Sequence, residues 1–87
     1  MIKVFSDEAW GNYLYWQRED KRILNKINSL IQDIERNGNE GIGKPEPLTH
    51  ELSGFWSRRI TNEHRLVYQI DDGKIFVATC RYHYFKD

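Results

Sequence analysis

A chain of 87 residues has room for one modest hydrophobic core and not for two, so everything it does must happen on one unit. Its 39% hydrophobic, 14% aromatic and 30% charged residues exclude a disordered tail, and no apolar run approaches the roughly 20 residues of a membrane-spanning helix. A formal net charge of +0 excludes the bulk electrostatics of a strongly basic nucleic-acid binder, although residues 53–87 alone carry +2 and residues 1–52 carry −2.

In chain order, Met1 to Phe5 alternates polar and apolar residues and predicts a short first strand. Ser6 is placed to cap a short helix, with Asp7 and Glu8 at the positive end of its dipole and Trp10, Tyr13, Leu14 and Gln17 on one side. Asp20 caps a second, longer helix. Its Ile23, Leu24, Ile27, Leu30, Ile31 and Ile34 keep the spacing of an amphipathic face, and Asn37-Gly38 ends it. From Asn39 to Glu51 the periodicity disappears, and Gly41, Gly43, Pro45 and Pro47 predict a stiff loop. Strands are expected over Phe55 to Thr61, Arg65 to Ile70 and Lys74 to His83, the last two joined by a hairpin at Asp71-Asp72-Gly73. The order βααβββ predicts an α+β fold: a single domain over residues 1–87, an antiparallel sheet with both helices packed on one face.

Period-two alternation assigns the strand faces. Trp56 and Ile60, Leu66, Tyr68 and Ile70, and then Phe76, Ala78, Cys80 and Tyr82 fall on the apolar face. The other face collects Arg59, Arg65, Arg81 and His83, provided that no bulge resets the alternation. Such a face reads equally as the solvated side of a two-layer domain or as a phosphate-binding surface, because arginine suits bidentate phosphate contact and aromatic rings stack on bases. His83 belongs to the residue type that works as acid or base near neutrality. Glu46 stands between Pro45 and Pro47, which restrict its backbone, an arrangement as compatible with a positioned base as with an ordinary rigid loop.

Other chemistry finds less support. Gly41-Ile42-Gly43-Lys44 lacks the spacing of a phosphate loop, and His50, His64 and His83 lie far apart with no accompanying cysteine pair. Cys80, the sole cysteine, forms no internal disulfide, and its place in an apolar run predicts an inert thiol. Together with the missing signal-peptide pattern at the N-terminus, this leads to the cytoplasm as the expected compartment.

The blocks YLYWQ and DKRI between Tyr13 and Ile23, GKPEPL (43–48), LSGFWSRRI (52–60), EHRLVY (63–68) and CRYHY (80–84) resemble the YoeB toxins of the RelE/ParE superfamily of bacterial toxin–antitoxin modules. The resemblance covers essentially the whole chain and implies the RelE-like fold. It also implies a ribosome-dependent endoribonuclease that cuts mRNA in the ribosomal A site without a metal or other cofactor. Residue by residue, Glu46 matches the general base, Arg65 the phosphate-stabilising arginine, His83 the general acid and Tyr84 the aromatic that orients the substrate. Arg59 matches a further basic residue, and Lys44 and Arg81 are expected to contact RNA.

The partners implied are a YefM-like antitoxin, the 70S ribosome with its mRNA, a second copy of the chain in a homodimer, and operator DNA bound by the toxin–antitoxin complex. No membrane is implied. The chain departs from the family in two ways: Thr49 stands where relatives often carry lysine, and Phe85 to Asp87 extend past the usual end. The rival readings are a ParE-like gyrase inhibitor without nuclease activity, and a module that binds antitoxin or operator without catalysis.

Overall fold

Asp20 determines how the two helices meet. Its extended backbone (φ −157°) ends α1 (Asp7–Glu19) by donating its N–H to the Trp16 carbonyl at 2.9 Å. Its carboxylate starts α2 (Lys21–Asn37) by accepting the Arg22 and Ile23 N–H groups at 3.0 and 3.3 Å. One residue thus satisfies orphan backbone groups of both helices and folds them into a hairpin. Ser6 caps α1 as expected, its Oγ accepting from Ala9 at 2.9 Å while donating to the Ala78 carbonyl at 2.6 Å. Gly38, at φ +67°, closes α2 with an N–H to the Ile34 carbonyl at 2.8 Å.

The computed structural model describes residues 1–83. Around the helices run β1 (Ile2–Phe5), β2 (Glu46–Pro47), β3 (Trp56–Arg59), β4 (Arg65–Asp71) and β5 (Lys74–Thr79), in the sheet order β1-β5-β4-β3-β2. The strands β3 to β5 pair antiparallel as predicted. Strand β1 does not: it lies parallel to β5, with Ile2 beside Lys74 and Phe5 beside Val77, so the sheet is mixed. A parallel neighbour needs a long crossover, and the chain between β1 and β5 supplies it. Within the predicted 39–51 loop, Glu46 pairs with Ser57 and Pro47 with Trp56, adding a two-residue edge strand, and residues His50–Leu52 form one 3₁₀ turn. Proline is tolerated there because the edge needs no further N–H.

Both helices cover one face. Ile27, Leu30, Ile31 and Ile34 of α2 pack with Ala9 and Trp16 of α1 against Ile60, Leu66, Tyr68, Ile75, Val77 and Cys80. Burying each large aliphatic side chain contributes about 1.5–3 kcal/mol, so the predicted α2 stripe carries much of the core. The face of α1 differs from the expectation: Trp10 and Leu14 are exposed, while Ala9 and Trp16 are buried and the Trp10 ring stacks on Tyr13 at 5.8 Å. Ala9 and Trp16, seven residues apart, define the buried face, with Tyr13 and Tyr15 packed at its edge.

The faces of β3 and β4 follow the alternation, but β5 does not. Val67 pairs with Thr79 and Tyr68 with Val77, so Ala78 is an extra residue, a bulge. Ile75 and Val77 face the core in place of the expected Phe76 and Ala78, and Cys80 returns to it only because the bulge resets the parity. Phe76 packs edge-on to Phe55, 6.2 Å away. Tyr82, expected to point inward, is 58% exposed. Among the described residues no helix is long and apolar enough to cross a membrane.

Candidate functional site

On the sheet face away from the helices lies an open cleft of about 440 Å³ lined by Lys44, Pro45, Glu46, Ser57, Arg59, Arg65 and His83. Its floor follows from strand register. Glu46 stands opposite Ser57, Arg59 is two residues further along β3 on the same face, and Arg59 stands directly opposite Arg65. Like charges paired across strands are destabilising by themselves, so two apposed arginines mark a place where an anion is favourable.

Arg65 is held rather than mobile. It is 7% exposed, and its Nη1 donates to the carbonyls of Thr61, Asn62 and His64 at 2.7, 3.1 and 3.2 Å. Arg59, by contrast, is exposed. The cleft therefore pairs one oriented guanidinium with one that is accessible to solvent.

Glu46 is delivered by a loop that a buried arginine holds in place. Arg58, fully buried, uses all five of its N–H groups. They reach Asp33 at 2.5 Å, the carbonyls of Gly38, Glu40 and Ile42 at 2.7, 2.9 and 3.0 Å, and the Tyr68 hydroxyl at 3.2 Å. The Asp33 carboxylate also accepts the Ile42 N–H, and the Arg58 guanidinium beside it holds its pKa below the usual carboxylate value. Burial raises the pKa of the Tyr68 phenol, which donates in turn to Asn39.

Two glycines make this packing possible. A Cβ on Gly41 would overlap the Asp33 carboxylate, and one on Gly43 (φ +81°) would lie 2.7 Å from Leu30 Cδ2. The Gly43 carbonyl accepts the Arg59 N–H at 2.7 Å, so the chain enters Lys44-Pro45-Glu46 from a fixed point on β3. Sequence reasoning named Glu46 but missed this support. The available signal was Arg58 itself, because alternation from Trp56 and Ile60 aims it into the core, where a charge must be paired.

His83 arrives on a segment that is no longer strand, since β5 stops at Thr79. Helix α1 fixes its start: Asn12 Oδ1 accepts from Thr79 Oγ1 and the Cys80 N–H at 2.9 and 3.0 Å, and the Trp16 indole donates to the Cys80 carbonyl at 2.9 Å. Arg81 leaves the cleft lining. Its guanidinium lies 3.6 Å from the Tyr15 ring centroid and 4.5 Å from that of Tyr82, and its Nε finds no hydrogen-bond partner among the described residues. The expectation that Arg81 shares a face with Arg65 and His83 therefore fails beyond the bulge. Tyr84 lies outside the described residues, as do Phe85 to Asp87. Cys80 takes no part: it is buried against the Ala9 carbonyl, and burial pushes its thiol up to about 12.

Thus Glu46, Arg59, Arg65, His83 and Lys44 converge from three strands or their flanks and the C-terminal segment, with Ser57 as a lining residue that sequence reasoning did not single out. Residues 5–84 match the family model described as YoeB-like toxin of bacterial type II toxin–antitoxin system. The Toxin YoeB of Escherichia coli K12 is 63% identical over 84 residues, covering 97% of this chain and 100% of the relative. A solved YoeB/ParE toxin from Agrobacterium tumefaciens superposes with a TM-score of 0.94 at 45% identity, over 97% of this chain and 100% of that one. The toxin chain of a YoeB–YefM complex from Staphylococcus aureus superposes with a TM-score of 0.91 at 50% identity, over 97% and 98%. The chain therefore belongs to the YoeB-like toxins of bacterial type II toxin–antitoxin systems.

Proposed function

We propose that this toxin is a ribosome-dependent endoribonuclease that cleaves mRNA in the ribosomal A site and so inhibits translation. The observation that carries the reading is the convergence of a carboxylate, two apposed arginines and an imidazole on one cleft. These are the groups that RNA cleavage by internal attack requires. Glu46 takes the proton of a ribose 2′-hydroxyl, and that oxygen attacks the adjacent phosphorus. Arg65, with Arg59, stabilises the charge of the pentavalent phosphorane. His83 gives its proton to the departing 5′-oxygen, leaving a 2′,3′-cyclic phosphate and a 5′-hydroxyl. Tyr84 orients the substrate, and Lys44 at the cleft rim contacts the RNA backbone.

The register supports this division of labour. Glu46 is the diagonal cross-strand neighbour of Arg59, and such neighbours lie roughly 7–8 Å apart, which leaves room for a phosphodiester between base and cation. A positioned acid or base contributes about 10²- to 10⁴-fold each, and a donor aimed at developing charge about 3–4 kcal/mol. The test is to map the ends of mRNA cut on programmed ribosomes by the wild type and by His83→Ala. Cyclic phosphate and 5′-hydroxyl ends from the wild type, with most of the rate lost in the variant, are expected. Intact mRNA accompanied by inhibition of DNA gyrase would overturn the reading.

The partners follow the same family logic. Relatives from Staphylococcus aureus have been solved as a heterotetrameric YoeB–YefM complex and as a YoeB dimer. We propose a YefM-like antitoxin and a homodimer for this chain, with operator DNA bound by the toxin–antitoxin complex.

A further inference from the structure

We propose that His64 is a positioning residue for the cleavage reaction, clamping the backbone of Tyr82 so that His83 enters the cleft; the inference rests on the ribonuclease reading above. Tyr82 adopts φ +68°, a left-handed conformation that residues with a side chain rarely hold unless their surroundings impose it. The Tyr82 ring does not supply the constraint, because it is 58% exposed. The backbone does. The Tyr82 N–H donates to His64 Nδ1 at 2.7 Å, and the Tyr82 carbonyl accepts the Arg65 N–H at 3.0 Å. The dipeptide His64-Arg65 therefore grips both sides of the residue before His83, and its second member is the oriented cation of the cleft.

The clamp is itself rigid. The His64 ring meets the Trp16 ring edge-on at 4.8 Å, and Trp16 is the residue whose indole holds the Cys80 carbonyl. The His64 N–H donates to Thr61 Oγ1 at 3.1 Å, and its carbonyl accepts the Ile60 and Thr61 N–H groups at 3.0 and 3.2 Å. A backbone N–H only donates, so Nδ1 must be the unprotonated nitrogen of the ring. This requirement separates the role from packing: an apolar side chain of similar size fills the space but offers no lone pair, whereas an asparagine oxygen offers one near the position of Nδ1.

The experiment compares wild type, His64→Leu and His64→Asn in mRNA cleavage on programmed ribosomes, with melting curves to verify folding. Misaiming an acid by about 1 Å costs on the order of 10²-fold, so His64→Leu is expected to lower kcat by ~10- to 100-fold with KM unchanged, and His64→Asn to recover most of that loss. In ¹⁵N-labelled wild type, a scalar coupling between the Tyr82 amide nitrogen and His64 Nδ1 is expected across the hydrogen bond. Wild-type kcat in His64→Leu, or equal losses in two equally folded variants, overturns the role. Absence of the coupling overturns it even if His64→Leu does not fold. A wild type that leaves mRNA intact while showing the coupling overturns the ribonuclease reading and this role with it.

Discussion

Arg58 and Arg59 are neighbours in the chain and opposites in the fold. Arg58 points to the helix-covered side of the sheet, where it is fully buried and every donor is occupied by Asp33, Tyr68 or the carbonyls of the 38–42 loop. Arg59 points into the cleft, exposed and facing Arg65. The pair teaches that one side of this sheet uses positive charge to build, and the other keeps it available for an anion. A strand alternates its side chains, so two identical residues in sequence are assigned opposite tasks by parity alone.

The comparison is broken most forcefully at the cleft. Glu46→Ala and His83→Ala should each lose about 10²- to 10⁴-fold in mRNA cleavage on ribosomes while their urea midpoints stay at the wild-type value, since both side chains are exposed. Next comes the built side. Arg58→Met leaves loop carbonyls and the Asp33 carboxylate without their partner, and should destabilise the domain by ~3–5 kcal/mol in urea titration, with activity lost in proportion to the unfolded fraction. Arg59→Met sharpens the contrast: an unchanged midpoint and about 10²-fold slower cleavage are expected, and equal stability losses at both positions would erase the distinction.

A smaller effect is expected from pH. The folded Asp33 carboxyl titrates below its unfolded value because Arg58 donates to it. The unfolded state therefore binds the proton more readily, and the Asp33 contribution is complete above the unfolded pKa and lost as pH falls through the folded one. The wild-type Tm should drop below about pH 4, and Asp33→Asn, less stable at pH 7, should show a weaker dependence on acid. Smallest is the thiol: Cys80 should resist a thiol reagent at pH 8 in the native protein and react in urea, because burial raises its pKa to about 12.

Much of the fold was legible in the chain. Caps at Ser6 and Asp20, the α2 stripe, the Gly38 stop and the hairpin at Asp71-Asp72-Gly73 are local signals, written in residues that contact one another within a few positions. The site was legible in kind, since Glu46, Arg59, Arg65 and His83 could be named from strand parity and from family motifs. Less legible were features in which distant segments decide. The bulge at Ala78 comes from the meeting of β4 and β5, and it shifts the core face of β5 to Ile75 and Val77; past the strand's end at Thr79, Arg81 lies on Tyr15 and Tyr82, at φ +68°, turns into solvent. The face of α1 was misread because its rings lie on several sides of the helix, and only packing against the sheet selects Ala9 and Trp16.

The sequence by itself determined the helices, their stops, the antiparallel strands from β3 to β5 and the chemical types available to a site, because capping, periodicity and turn chemistry act over a few residues. Only the tertiary structure decided that β1 lies parallel to β5, that Arg58 holds the loop before Glu46, and that His64 and Arg65 grip the residue before His83. Each of these is a contact between residues at least sixteen positions apart, such as Arg58 and Ile42, and no local pattern specifies which distant partners a folded core brings together.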